Sequence, residues 1–273
     1  MRKMNILLGE SAAMQEVRDR ILCFAQTRYP VLILGERGTG KNLCASQIHA
    51  TSSVKGKPMV SVDCGALPAS LIESVLFGHE RGAFTGAVHQ GVGRLEEADG
   101  TTLFLDEIAL LSLEGQGRLL RFLEEGRIRR IGGKSDREIS CRIIAATNRN
   151  LKEVVGSGRF LADLFDRLNV LRITMPSLAD RREDIPLLIE HFLSRIPSKR
   201  KPRLSEEAIE ILCRYSFPGN VRELRNVCCR LETFFPAREV GAKEIGEVLE
   251  YLPQELPAPV SKGHHRIPQR PNR

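Results

Sequence analysis

The stretch Gly35, Glu36, Arg37, Gly38, Thr39, Gly40, Lys41, Asn42 constrains this chain more than any other. It follows the apolar run Val31–Leu34 and precedes a helical-looking segment over residues 43–50. Strand, glycine-rich turn and helix, in that order, is the context of a phosphate-binding loop. Glycines let the backbone curl so that successive N–H groups face an anion, and the helix N-terminus adds partial positive charge. Lys41 is placed to reach the outer phosphates of a nucleotide. The hydroxyl residue that usually follows such a lysine is here Asn42.

A chain of 273 residues can hold one large or two small domains. No apolar run is long enough to span a bilayer, and the N-terminus lacks a signal-peptide pattern, so a cytoplasmic protein without a membrane partner is expected. The seven cysteines, Cys23, Cys44, Cys64, Cys141, Cys213, Cys228 and Cys229, show no metal-ligand spacing and read as reduced thiols. A net charge of +7 permits an acidic partner or nucleic acid without requiring either.

Along the chain, Met14, Val17, Ile21, Leu22 and Ala25 recur at helical spacing. Residues 57–64 read as a second strand and residues 67–78 as a short helix. Residues 78–93 are glycine-rich and carry one aromatic residue, Phe84, with no evident core partner; such a loop is a contact device of unstated target. Residues 101–107, TTLFLDE, are an apolar strand that delivers Asp106 and Glu107 to its C-terminal end. That placement suits a Mg²⁺–nucleotide site, with Asp106 holding the metal and Glu107 orienting an attacking water. Residues 127–137 are basic and turn-rich, and residues 141–146 form another buried strand ending in Thr147 and Asn148. A last strand is expected over residues 168–175, then helices over 182–196, 205–215 and 220–234. From about residue 253 the chain is Pro-rich, basic and without periodicity, and a disordered tail is expected.

The strings GERGTGK, FGHERGAFTGA, TTLFLDE, AATN and FPGNVRELRN, in this order and spacing, resemble the central AAA+ ATPase domain of bacterial enhancer-binding proteins, the activators of sigma-54 RNA polymerase. The likeness extends over about residues 7–251. It implies an α/β fold: an AAA+ P-loop NTPase with a parallel-sheet α/β core over residues 1–175 and a small C-terminal helical lid domain over 176–252, with the tail at 253–273. It implies binding of ATP with Mg²⁺, a self-assembled ring, usually a hexamer, and remodelling of the sigma-54 RNA polymerase holoenzyme. Promoter DNA would be touched only indirectly or through the basic tail. By the same resemblance, Gly82, Ala83, Phe84, Thr85, Gly86 and Ala87 contact sigma-54, Thr147 and Asn148 form a first sensor, Arg222 a second sensor, and Arg167 an arginine finger.

The chain departs from that family's pattern in three places. Asn42 stands where Glu is usual. Asp63 stands where the family's Asn donates to the water-orienting acid; an ionised Asp cannot donate and would bring like charge towards Glu107. Leu161 replaces one arginine-finger candidate, leaving Arg167, and a finger is worth roughly 10³–10⁵ in turnover. The resemblance therefore implies ATP binding with impaired hydrolysis. It keeps open a second role, a weakly hydrolysing subunit that joins or inhibits rings of a related full-length activator. No receiver or sensory domain is expected before the core, and no helix-turn-helix after residue 251.

Overall fold

The computed structural model describes residues 7–197 and 199–250. The expected tail at 253–273 lies outside the described residues. The centre of the fold is a five-stranded parallel sheet in the order β2-β3-β6-β1-β7, formed by β1 (Val31–Leu34), β2 (Val60–Asp63), β3 (Thr102–Asp106), β6 (Arg142–Thr147) and β7 (Leu171–Thr174). The three inner strands are largely apolar because both of their faces are covered. The edge strands β2 and β7 alternate, with one residue in two exposed.

Period-two alternation sorts the inner strands into two cores. Val31, Ile33, Phe104, Ile144 and Ala146 face the helices α1 (Ala12–Ala25) and α2 (Lys41–Ala50). Leu32, Leu103, Leu105, Ile143 and Ala145 face α3 (Ala69–Phe77), α5 (Leu113–Glu125), α6 (Leu151–Gly156) and α7 (Ala162–Leu168). Helix α1 buries Met14, Val17, Ile21 and Ala25 as its spacing suggests. Leu22, counted with them, is 56% exposed, because one residue past Ile21 turns it about 100° off the buried stripe.

Between α3 and β3 the chain carries residues 78–93 and the short α4 (Arg94–Glu97). Residues 127–137, read as basic and turn-rich, take part in two short antiparallel strands, β4 (Arg127–Arg129) and β5 (Asp136–Glu138). Their sequence gave no strand signal because, of the six residues, only Ile128 is buried. The pairing is carried by charges across the strands, Arg127–Glu138 at 2.5 Å and Arg129–Asp136 at 2.7 Å.

After β7 the chain becomes helical and builds a third core. A 3-10 segment (Ala179–Asp184) leads into α8 (Ile185–Ser194), β8 (Arg203–Leu204), α9 (Glu206–Arg214), α10 (Asn220–Phe234), β9 (Glu239–Val240) and α11 (Ala242–Glu250). Ser205 caps α9 by accepting from the Ala208 N–H. Leu178, Leu188, Leu212, Leu224, Val227 and Val248 fill the interior. Helix α11, absent from the sequence reading, contributes Ile245 and Val248. No helix among the described residues is long and apolar enough to cross a membrane.

One buried carboxylate fastens the helical segment to the sheet. Asp184, 1% exposed, accepts from the Glu10 N–H at 2.6 Å, the Ser11 N–H at 2.9 Å and the Ser11 hydroxyl at 2.7 Å. Asp184→Ala leaves these donors unpaired and is expected to lower the unfolding free energy by about 2–4 kcal/mol. Urea denaturation checks this; a loss below about 0.5 kcal/mol would show that Asp184 does not fasten the two parts.

Candidate functional site

The register of the sheet sets the site. Leu34 pairs with Thr147 and with Thr174, and Leu105 pairs with Ala145. The C-terminal ends of β1, β3 and β6 therefore lie side by side. The loop of residues 35–40, Asp106–Glu107 and Thr147–Asn148 leave the sheet along one edge, where open parallel sheets bind ligands.

The carbonyl and N–H groups of the glycine-rich loop have opposite fates. Lys41 Nζ donates to the Gly35 and Glu36 carbonyls at 2.9 and 3.0 Å, and Thr39 Oγ1 also donates to Glu36 O at 2.9 Å. Asn220 Nδ2 takes the Arg37 carbonyl at 3.1 Å, Arg181 takes that of Thr39 at 3.2 Å, and the Cys44 N–H takes that of Gly40. The N–H groups of residues 36–40 donate to no group among the described residues. Filled acceptors and free donors make a cradle for an anion. Gly40, the residue ahead of α2, has φ +105° and Gly38 has φ +78°. A methyl group on Gly38 would collide with the Gly219 carbonyl oxygen of the helical segment.

The charged groups lean on one another. Burial holds the Lys41 ammonium below its ordinary pKa, while the charges of Glu107 and Asp106 oppose that shift. Burial pushes the Asp106 carboxyl up; a hydrogen bond with Asn42 opposes this and the Glu107 charge adds to it. Glu107 sits at φ +50°, a conformation costly for a residue with a Cβ, where β3 turns into a 3-10 helix (Ile108–Leu110). Its Oε2 faces Thr147 Oγ1 at 3.5 Å and the Asn148 N–H at 3.4 Å. With the Asn148 amide turned to suit its neighbours, Nδ2 donates to the same oxygen at 2.9 Å and Oδ1 accepts from Arg37 Nε at 3.1 Å. No group of three or more metal-ligating side chains occurs among the described residues. A lone carboxylate beside a phosphate cradle still fits Mg²⁺, which keeps waters and takes phosphate oxygens as ligands.

Residues 37–42, Asp106, Glu107 and the helical segment line a cavity of about 410 Å³. Arg222 borders it, as do Arg181, His191 and Arg225, none of which except Arg222 was marked in the sequence. Asn220 was read only as a helix start. Its left-handed φ of +54°, tolerable for Asn, turns its side chain across to Glu36 Oε2 at 2.9 Å.

The remaining expected residues lie elsewhere. Asp63 pairs in register with Asp106, but its Oδ1 turns back to accept from the Gly65 N–H at 2.8 Å, and it makes no hydrogen bond to Glu107. Arg167 is exposed and faces Glu124 at 3.4 Å. Leu161 stands ahead of α7, its N–H bonded to Gln116 Oε1 at 2.9 Å and its side chain packed on the sheet core. Residues 82–87 form a separate loop closed on itself by Gly82 N–H to Ala87 O and Ala87 N–H to Phe84 O. Phe84 is 39% exposed; its ring meets His79 edge-on, with centroids 5.1 Å apart, and His79 Nδ1 is 2.8 Å from Ser74 Oγ.

Comparison with known proteins agrees with this layout. Residues 7–174 match the sigma-54 interaction domain and residues 179–261 match an AAA+ ATPase lid domain. The chain is 45% identical over 242 residues to the transcriptional regulatory protein ZraR of Salmonella typhimurium, covering 88% of this chain and 55% of that protein. It is 43% identical over 263 residues to the DNA-binding transcriptional regulator NtrC of Rhizobium meliloti, covering 95% and 54%. The crystal structure of NtrX from Brucella abortus in complex with ATP superposes with a TM-score of 0.82 at 36% identity, over 95% of this chain and 58% of that one. The chain thus spans about half the length of the relatives it matches.

Asp106→Asn removes a half-buried charge while keeping an acceptor for the Glu107 N–H. A carboxyl whose pKa is raised on folding destabilises the fold at pH values above that raised pKa, and the penalty vanishes as pH falls below the unfolded value. The nucleotide-free variant should melt above the parent at neutral pH, and the gap should close on acidification. A lower Tm at neutral pH would contradict this reading of the site.

Proposed function

The chain belongs to the sigma-54 interaction domain family, whose members include transcriptional activators of the NtrC and ZraR kind, and on that premise we propose that it is an ATPase acting on the sigma-54 RNA polymerase holoenzyme. The observation that carries the proposal is the cradle of N–H groups at residues 36–40, which have no partner among the described residues; residues 37–40 line the same cavity as Lys41, Asp106 and Glu107. ATP phosphates fit that set, with Lys41 at the outer phosphates. Asp106 would hold Mg²⁺, which neutralises phosphate charge when bound. Glu107 would orient the attacking water, Thr147 and Asn148 would sense the terminal phosphate, and Arg222 would approach it from the lid. The domain division follows the same reading: an α/β core through residue 175 and a lid from 176 to 252.

Arg167 stands apart from the cavity of its own chain and would serve the nucleotide of a neighbouring subunit in a ring. The loop of residues 82–87 would meet sigma-54 through Phe84 and Thr85, both exposed and neither lining the cavity at Lys41. A second reading, slow turnover within mixed rings, is favoured by Leu161: its side chain is committed to the core and offers no charge to a transition state.

If the finger acts in trans, ATPase activity per subunit rises with protein concentration, and activity that stays flat from the dilute monomer upward removes it. Thr85→Ala should change kcat less than about twofold, as expected for a site apart from the chemistry, while abolishing sigma-54 binding in the presence of a transition-state analogue. Parallel loss of both activities would make the loop a structural element.

A further inference from the structure

Glu107 can work only if its carboxylate is aimed, and the strand next to it supplies no donor for that purpose. Asp63 on β2 is an acceptor, and one of its oxygens already takes the Gly65 N–H. The donors come from the other side, after β6: with the Asn148 amide turned to suit its neighbours, its Nδ2 lies 2.9 Å from Glu107 Oε2, closer than the Thr147 hydroxyl at 3.5 Å or the Asn148 N–H at 3.4 Å. An asparagine amide can sit either way round, and the wrong way would set its oxygen against the carboxylate. Arg37 decides between the two. A guanidinium has donors only, and Arg37 Nε lies 3.1 Å from the Asn148 oxygen, so the amide nitrogen is left facing Glu107.

Arg37 is well placed to hold this setting. It makes no ion pair among the described residues, so no carboxylate draws its guanidinium away. Its carbonyl is pinned at 3.1 Å by Asn220 Nδ2, which also holds the adjacent Glu36. A hydrogen-bonded chain therefore runs from the lid residue Asn220 through Arg37 and Asn148 to Glu107. We propose that Arg37 is a positioning residue for Glu107, acting through the Asn148 amide and taking over the aiming of the acid that Asp63 cannot perform. The proposal rests on the reading of Glu107 as the acid that orients water for ATP hydrolysis.

The test pairs kinetics with a measurement that needs no turnover. Arg37→Ala should lower kcat about tenfold or more, a size typical of a misaimed catalytic group, with ATP affinity changed less than about threefold. Arg37→Lys, which keeps a donor, should recover part of the loss. In nucleotide-free protein, the side-chain NH₂ resonances of Asn148 should shift in Arg37→Ala and in Glu107→Ala alike. An Arg37→Ala variant that loses affinity at unchanged kcat would make Arg37 a phosphate-binding cation and overturn the proposal. Unmoved Asn148 resonances would overturn it too, whatever the rates. A parent protein that hydrolyses no faster than Glu107→Ala would instead refute the ATPase reading, and the resonances would still decide whether Arg37 sets the amide.

Discussion

The contact between Asn220 and the tip of the glycine-rich loop is the interaction on which the rest of the site depends. A loop whose five N–H groups have no partner among the described residues has no reason of its own to keep them on one side. Its shape is imposed from outside. Asn220 and Arg181 hold the carbonyls of Arg37 and Thr39 from the helical segment, and Lys41 holds those of Gly35 and Glu36 from α2. Asn220 is itself fixed, fully buried and accepting from the Leu178 N–H at 2.6 Å. Gly38 has no side chain because the lid backbone occupies that space. The anion cradle therefore belongs to neither part of the chain alone.

The electrostatics follow from the same closeness. Lys41 and Asp106 are drawn into a partly dry edge of the sheet, and burial moves each away from the state it would hold in water, with the charge of Glu107 acting on both. Arg181, 2% exposed, has a buried Nε without a hydrogen-bond partner among the described residues. Glu107 adds backbone strain. Such costs are tolerated where a ligand can relieve them, and an anion with its counter-ion is a ligand of that kind.

What the sequence disclosed was whatever lies close together along the chain. The loop, the strand carrying Asp106 and Glu107, and the pair Thr147–Asn148 are contiguous strings whose apolar flanks give away their strands. The unread parts depend on partners distant in sequence. Nothing near Asn220 suggests that it binds Glu36, and nothing near Arg37 suggests Asn148. Asp63 was placed beside Glu107 through the family resemblance, and the Asx turn in which its Oδ1 accepts from the Gly65 N–H is a local contact that the resemblance does not supply. The β4–β5 hairpin escaped notice because ion pairs, not apolar alternation, hold it.

Asn220→Asp isolates the lid's hold on the loop. It keeps the acceptor for the Leu178 N–H and an acceptable left-handed residue, but removes the donor to Arg37 O and sets a second negative charge against Glu36. The dissociation constant of a fluorescent ATP analogue, measured on variant and parent with matched circular dichroism spectra, is the direct measurement. An affinity about tenfold weaker, the size expected for a lost hydrogen bond to a charged group plus a new repulsion, is the predicted result. An unchanged affinity would mean that the loop holds its shape without the lid.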